Sequence, residues 1–298
     1  MARKRVLAQN SVRATVAVVG AGNLARALAV SLHRAGYRID SVISRDGRTS
    51  LKHARELAKK IASRTTLVGE ATISADVVWL CVPDAAIRDV ARLLANSGDW
   101  KGKIALHSSG ALTSDELSSL RRCGASVASV HPLMTFVKGS KPTLAGVPFA
   151  IEGEPKAARM ARRIVSDLGG QAFSIRKQNK VEYHAWGTFA SPLLTSLLAT
   201  SERVASAAGV PAEAARNRML PIIAQTIVNY AAGGAAAGFS GPIMRGDVEV
   251  VRQHLHALRA IPEAREVYVA LARAAARYLP GKKRDDMNTL LGKRSVMK

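Results

Sequence analysis

The chain has 298 residues, 48% of them hydrophobic and 22% charged. That length suits one large domain or two ordinary ones, and the composition excludes wholesale disorder, collagen-like repeats and a coiled coil. Two cysteines, Cys81 and Cys123, cannot make a disulfide framework and fit a reducing compartment, while 44 Lys and Arg against 22 Asp and Glu give a net charge of +22.

That charge is spread: residues 1–155 hold 22 basic and 12 acidic side chains, residues 156–298 hold 22 and 10. An even excess predicts a generally basic surface that attracts anionic ligands and binds polyanions loosely, rather than a dedicated nucleic-acid module. Along the chain, a basic tail over 1–12 precedes a short β-branched strand, Ala14–Val19, which stops at Gly20. Asn23–Ala35 has helical apolar spacing and ends at Gly36. Strands follow at Tyr37–Ser44, Val77–Val82, Lys103–His107, Ser126–Val130, Val147–Ile151 and Ala172–Ile175. Helices are predicted between them at Leu51–Ile61, Ile87–Leu94, Leu117–Arg122 and Pro155–Leu168, with Thr113–Glu116 spaced as a capping box.

Apolar strands alternating with helices predict a mostly parallel, doubly wound sheet with helices on its faces. From Gln178 onward only long Ala/Leu-rich helical segments appear, at 178–208, 212–232, 247–259 and 263–279. The expected organisation is a Rossmann dinucleotide-binding domain over 13–176, an all-α substrate and dimerisation domain over 177–281, and basic tails at 1–12 and 282–298. Uncharged stretches at 185–201 and 219–244 carry hydroxyls, prolines and glycines that argue against a membrane span. With no signal peptide visible, a cytoplasmic protein is expected.

The strongest local signal is Gly20-Ala21-Gly22-Asn23-Leu24-Ala25, a G-x-G-x-x-A pattern directly after the first strand and opening the first helix. In that context Gly20 permits the turn and Gly22 lets the backbone approach a pyrophosphate. Ala25 lets helix and strand pack closely, and the helix N-terminus offers N–H groups to the anion. At the end of the second strand Ser44 and Arg45 stand where NAD sites place a carboxylate. A hydroxyl plus a guanidinium suits a 2′-phosphate, so NADP is favoured over NAD, with Arg48 able to assist. If the strand ran two residues further, Asp46 would become the ribose acid and NAD the cofactor.

Seven stretches together resemble the Rossmann-like proteins of the domain-of-unknown-function 2520 family. They are VAVVGAGNLARALA (16–29), LCVPD (80–84), HSSGAL (107–112), SVHPLMTF (129–136), PFAIEG (148–153), YHAWGTFAS (183–191) and GPIMRGDVEVVRQHL (241–255). The resemblance implies a Rossmann domain followed by a helical domain similar to that of phosphogluconate dehydrogenase and pyrroline-5-carboxylate reductase. It also implies a homodimer built through the helical domains, and it assigns no substrate. Ser191-Pro192 stands where related dehydrogenases carry Ser-Asn. Ser191 stays a substrate-side candidate, while Pro192 cannot make the amide contact and removes a helix N–H.

The remaining candidates sit at strand ends, where open α/β sheets bind ligands. Val82, Pro83 and Asp84 would line the cofactor path, or Asp84 would simply cap the next helix. Ser108, Ser109 and Gly110 would face the cofactor and His107 the substrate, or the segment would be a plain turn. His131 could donate a proton as hydride arrives, or hydrogen-bond a loop. Lys180 and His184 share a helix face. Resemblance to hydroxyacid dehydrogenases, which place a general acid/base lysine at the start of such a helix, makes Lys180 an acid/base candidate, the alternative being a solvated charge beside Arg176 and Lys177. Arg245 could hold a substrate anion or pair with Asp247, which is expected to cap the following helix. No metal-ligand set is present.

These observations point to an NADP-dependent oxidoreductase moving a hydride to a C=O or C=N of a small anionic metabolite, with His131, Lys180 or His184 supplying the proton. Two alternatives stand beside it: a non-catalytic dinucleotide sensor or regulatory dimer, and nonspecific nucleic-acid binding through the basic surface. At 4% aromatic residues, stacking platforms for bases are sparse, and no specific nucleic-acid partner is expected.

Overall fold

The computed structural model describes residues 13–140 and 143–292. The first basic tail lies outside them. The chain divides into two compact units between Thr188 and Phe189.

The first unit is built in the order β1 (Val16–Val19), α1 (Asn23–Arg34), β2 (Ile39–Ser44), α2 (Arg48–Lys60), β3 (Arg64–Leu67), β4 (Val77–Leu80), α3 (Asp84–Leu94), β5 (Ile104–His107), α4 (Ser118–Arg122), β6 (Ser126–Pro132), β7 (Pro148–Gly153), α5 (Pro155–Asp167), β8 (Gln171–Ser174) and α6 (Lys180–Thr188). The eight strands form one sheet in the order β3-β2-β1-β4-β5-β6-β7-β8. Every pairing is parallel except β6 with β7, so the sheet is the mostly parallel one expected, with β7 and β8 running against the other six. Its order reverses between β1 and β4, the place where such sheets open a ligand crevice at their carboxyl ends.

β1 and β4 are buried along their whole length, as expected of central strands covered on both faces. One cluster, including Val16, Val18, Leu28, Leu32 and Trp79, packs under α1, and another, including Val19, Val78, Leu80, Ile87 and Leu94, packs under α3. β3, with the sequence RTTL, is a half-exposed edge strand that the apolar pattern does not announce.

The antiparallel turn of the sheet depends on Gly153, paired with Ala128. Its φ is +143°, and a Cβ there would lie 2.5 Å from both the Ala128 Cα and the Val127 carbonyl oxygen. Backbone atoms cannot step aside, so Gly153→Ala is expected to destabilise the chain by about 3–5 kcal/mol, combining left-handed strain with overpacking. Equilibrium urea unfolding checks this; a midpoint within error of the unsubstituted protein would contradict it.

The second unit is helical. A π-helical turn, Phe189–Leu193, leads into α7 (Leu194–Ala207), α8 (Ala212–Gly238), α9 (Pro242–Arg245), α10 (Val248–Ala257), α11 (Pro262–Tyr278) and α12 (Arg284–Gly292). Pro192 stands inside the π turn, where the wider ring accommodates its missing N–H. α8 breaks at Gly234, whose φ is +71°. Residues 282–298 read from sequence as a basic tail, but Arg284–Gly292 is a helix that buries Met287 and Leu291 against Val251, Leu255 and Ala272. Its two buried anchors are too few to outweigh the surrounding charge in a sequence pattern. Residues 293–298 of that tail lie outside the described ones. Among the described residues no helix is long and apolar enough to cross a membrane.

Candidate functional site

β1 delivers the chain to Gly20, whose φ of +105° turns it sharply into α1. The Gly20 N–H donates to the Ile43 carbonyl at 2.8 Å, and a Cβ would lie 2.4 Å from the Cys81 carbonyl oxygen. Gly20 is therefore required by the fold itself. Gly22 differs: its φ is −70°, and nothing lies within 4 Å of where its Cβ would be. It occupies the N-cap position of α1 without a side-chain cap, and the first turn holds no acidic residue. The N–H groups there are left for an anion. Ala25 is fully buried and allows the close helix–strand packing. Leu24 lies in the same uncapped turn. Asn23 is committed elsewhere, its Nδ2 donating to the Phe136 carbonyl at 3.0 Å, which pins the 133–137 segment beside the turn.

In front of this turn lies a cavity of about 310 Å³, lined by Gly20, Ala21, Gly22, Arg45, Ser50, His53, Val82 and Pro83 among others. Pro83 stands at the N-cap position of α3, and Asp84 follows it without capping. The Asp84 carboxylate instead accepts from the Ser109 Oγ at 2.7 Å.

β2 ends at Ser44, as the NADP reading requires. Arg45 reaches the cavity, its Nε donating to the Ser50 Oγ at 3.0 Å. Ser44 does not: it is buried, and its hydroxyl donates to the Arg45 carbonyl. Asp46 turns back on its own loop, accepting from the Gly47 N–H at 2.7 Å. Ser50 and His53 escaped the sequence reading because neither belongs to the glycine loop or to a strand end.

A second group gathers at the ends of β5 and β6 and along α6. His107 is fully buried: its Nε2 donates to the Thr113 carbonyl at 2.9 Å, and its Nδ1 accepts from the Ser109 N–H at 3.1 Å. It braces the turn and does not present a nitrogen to a substrate. Burial pushes its pKa down to about 4. The expected outward hydroxyls are also turned in. Ser108 Oγ accepts from Trp79 Nε1 at 2.8 Å, and Ser109 Oγ, besides serving Asp84, accepts from the Leu112 N–H.

Lys180 is 1% exposed, not a solvated charge. Its Nζ donates to the Ser109 carbonyl at 2.9 Å and to the Ser129 Oγ, and Ser129 Oγ donates to the same carbonyl. Burial lowers its pKa to about 8. Glu152 is buried too, its carboxylate accepting from the Ser114 N–H and Oγ.

Gly110 is where the two remaining histidines meet. A Cβ on it would lie 2.5 Å from the His184 Cδ2 and 3.0 Å from the His131 Nε2. The two imidazoles are edge to face, centroids 6.0 Å apart. His184 is exposed and His131 half-buried; burial, then the Lys180 charge, takes the His131 pKa down to about 4. At neutral pH His131 is thus an uncharged imidazole. Its Nδ1 meets the Tyr183 hydroxyl at 2.8 Å.

In the second unit, Ser191 belongs to the π turn. Arg245 Nε donates to the Asp247 carboxylate at 2.8 Å, so the structural pairing holds; Asp247 occupies the N-cap position of α10 without capping it. Among the described residues no group of His, Cys, Asp and Glu is placed to hold a metal.

Residues 5–132 match the family model Rossmann-like domain, and residues 147–275 match Domain of unknown function (DUF2520). The chain joins a Rossmann-like domain to a DUF2520 domain. No curated protein matches this chain in sequence. Among solved structures it is similar to the "putative NADP oxidoreductase BF3122" of Bacteroides fragilis, at 23% identity and a TM-score of 0.73, covering 88% of this chain and 97% of that one. It is also similar to the imine reductase of a Pseudomonas species, at 22% identity and a TM-score of 0.61, covering 88% and 93%. The reductive aminase of Aspergillus terreus, solved with NADPH4, cyclohexanone and allyl amine, is similar at 16% identity and a TM-score of 0.61, covering 94% and 98%. These likenesses show a shared fold.

Proposed function

We propose that the protein is an NADP-dependent oxidoreductase that moves a hydride between NADP(H) and the C=O or C=N carbon of a small anionic metabolite. The observation that carries this is the open face of Gly22 at an uncapped, acid-free helix N-terminus, with Arg45 on the same cavity. The residues fit a dinucleotide. The first-turn N–H groups of α1 would hold the pyrophosphate, Val82 and Pro83 would flank its path, and Arg45 would take the 2′-phosphate with Ser50 and His53 nearby. Asp46 faces its own backbone, which supports NADP over NAD. NADP-type chemistry named for the similar folds supports the same choice.

When bound, NADPH supplies the hydride; this chain's own residues position the acceptor and handle the proton. His131 and His184 border the Gly110 face and would meet the substrate oxygen or nitrogen. Lys180 acts from behind them, fixing the 107–110 turn against β6 through Ser109 and Ser129 and adding its charge to the burial that keeps His131 uncharged.

The test is calorimetric titration with NADPH and NADH at moderate salt. Arg45→Ala is expected to weaken NADPH by about 10–100-fold, roughly 1.4–2.8 kcal/mol, and to leave NADH unchanged. Equal losses for both would remove Arg45 from the 2′-phosphate, and tighter NADH binding would return the ribose contact to Asp46. A sensor without turnover is the second reading, favoured by Pro192 in the π turn; NADPH binding without oxidation by any carbonyl or imine acid would support it.

A homodimer through the helical unit belongs to the same proposal. From Met219 onward α8 carries no charged residue, and Leu220, Ile222, Ile227, Val228 and Tyr230 are each more than half exposed in the single chain. A helix of that kind is normally covered. Sedimentation over a range of concentrations tests it.

A further inference from the structure

Tyr183 stands in the first turn of α6 and is 6% exposed. Its ring is held edge-on by Phe173, Trp186 and His131, with centroids 6.0, 6.1 and 5.5 Å away. Its hydroxyl has one hydrogen-bond partner among the described residues, the His131 Nδ1 at 2.8 Å. A buried phenol proton needs an acceptor, and the imidazole nitrogen is the one on offer. If Nδ1 carried the hydrogen and donated to the phenol oxygen, the phenol's own proton would have nowhere to go. The arrangement that satisfies both groups has Tyr183 donating to a bare Nδ1. The imidazole hydrogen then resides on Nε2. That second nitrogen has no partner among the described residues, is not among their buried unpaired atoms, and sits at the Gly110 face.

We infer that Tyr183 is a positioning residue that locks His131 in the Nε2–H form, so that His131 presents a neutral N–H donor to an acceptor oxygen or nitrogen at the Gly110 face. The role of that donor toward substrate rests on the oxidoreductase reading; the lock itself does not. A neutral imidazole N–H orients and polarises a carbonyl or imine without giving up its hydrogen, and it leaves proton delivery to the exposed His184. Both partners stay uncharged across the neutral range, because burial raises the Tyr183 pKa to about 12 and lowers that of His131 to about 4.

The test is long-range ¹H–¹⁵N spectroscopy of the histidine-labelled full chain at pH 7, with His131→Asn assigning the signals. The unsubstituted protein is expected to show a protonated Nε2 and a bare, hydrogen-bonded Nδ1 for His131. In Tyr183→Phe the two nitrogen shifts should move toward each other as tautomers exchange. A proton on Nδ1 in the unsubstituted protein overturns the inference, and so does a folded Tyr183→Phe protein whose His131 shifts are unmoved. The first spectrum decides even if Tyr183→Phe does not fold. Failure of the unsubstituted protein to bind NADPH overturns the substrate-side role separately, with the tautomer still read directly.

Discussion

Gly22→Ala is expected to lower NADPH affinity by about 100-fold, roughly 2.7 kcal/mol, while leaving the fold intact. The backbone there is extended, with φ at −70°, and no atom lies within 4 Å of the new methyl group. Stability should be unchanged or up to ~1 kcal/mol higher, because alanine has less freedom to lose than glycine. The methyl would occupy the space through which the pyrophosphate approaches the helix N-terminus. Two residues earlier the outcome reverses. Gly20→Ala should cost about 3–5 kcal/mol of stability before any ligand is added, since φ is +105° and the Cys81 carbonyl is 2.4 Å from the new atom. Urea unfolding and NADPH titration on both variants separate the two roles. Equal damage to stability by both substitutions, or undiminished NADPH binding by Gly22→Ala, would contradict the assignment.

Acid should destabilise the protein well above the carboxylate range. His107 and His131 both have folded pKa values of about 4, against 6.5 for an unperturbed imidazole, with burial the leading cause in each. Between those limits the unfolded chain takes up protons that the folded one refuses, so stability falls as pH drops from about 6.5 to 4. Each histidine accounts for about 3 kcal/mol at most over that window. His131→Asn should remove roughly half of the slope. Lys180 adds a gain at the other end: with its folded pKa lowered to about 8, stability rises as pH climbs from about 8 toward 10. Denaturant midpoints measured from pH 4 to 10 would show this, and a flat profile between 4 and 6.5 would contradict the burial of both imidazoles.

Sequence patterning was informative where one physical effect dominates. β1, β4 and the Gly20–Ala25 turn stand out because a fully buried strand is a continuous apolar run and a tight phosphate-type turn needs glycine. The Arg45 position could be read because it depends only on where β2 stops. β3 was not legible, because a half-exposed edge strand can be as polar as RTTL. The reversed direction of β7 was hidden as well, since apolar runs carry no polarity. Lys180 shows the deeper limit. Beside Arg176 and Lys177 it looks solvated, yet the oxygens that bury it belong to Ser109 and Ser129, 71 and 51 positions away. The inward turn of Ser108, Ser109 and His107 was invisible for the same reason: which hydroxyl faces outward is settled by partners such as Trp79 and Asp84 that spacing does not reveal.

The placement of α6 with the sheet bears on how this architecture could be recombined. Composition changes at Arg176–Lys180, and a graft made there would carry away the helix that bears Lys180, Tyr183 and His184. The Ser129 hydroxyl would then lose Lys180 and keep only the Ser109 carbonyl, the His131 Nδ1 would lose Tyr183, and the acceptor side of the recipient would be left disorganised. A graft made after Thr188 keeps these side chains with the strands they serve and exchanges the helical unit alone. Modular exchange in this architecture therefore has its natural seam eight residues beyond Lys180, downstream of the change in composition.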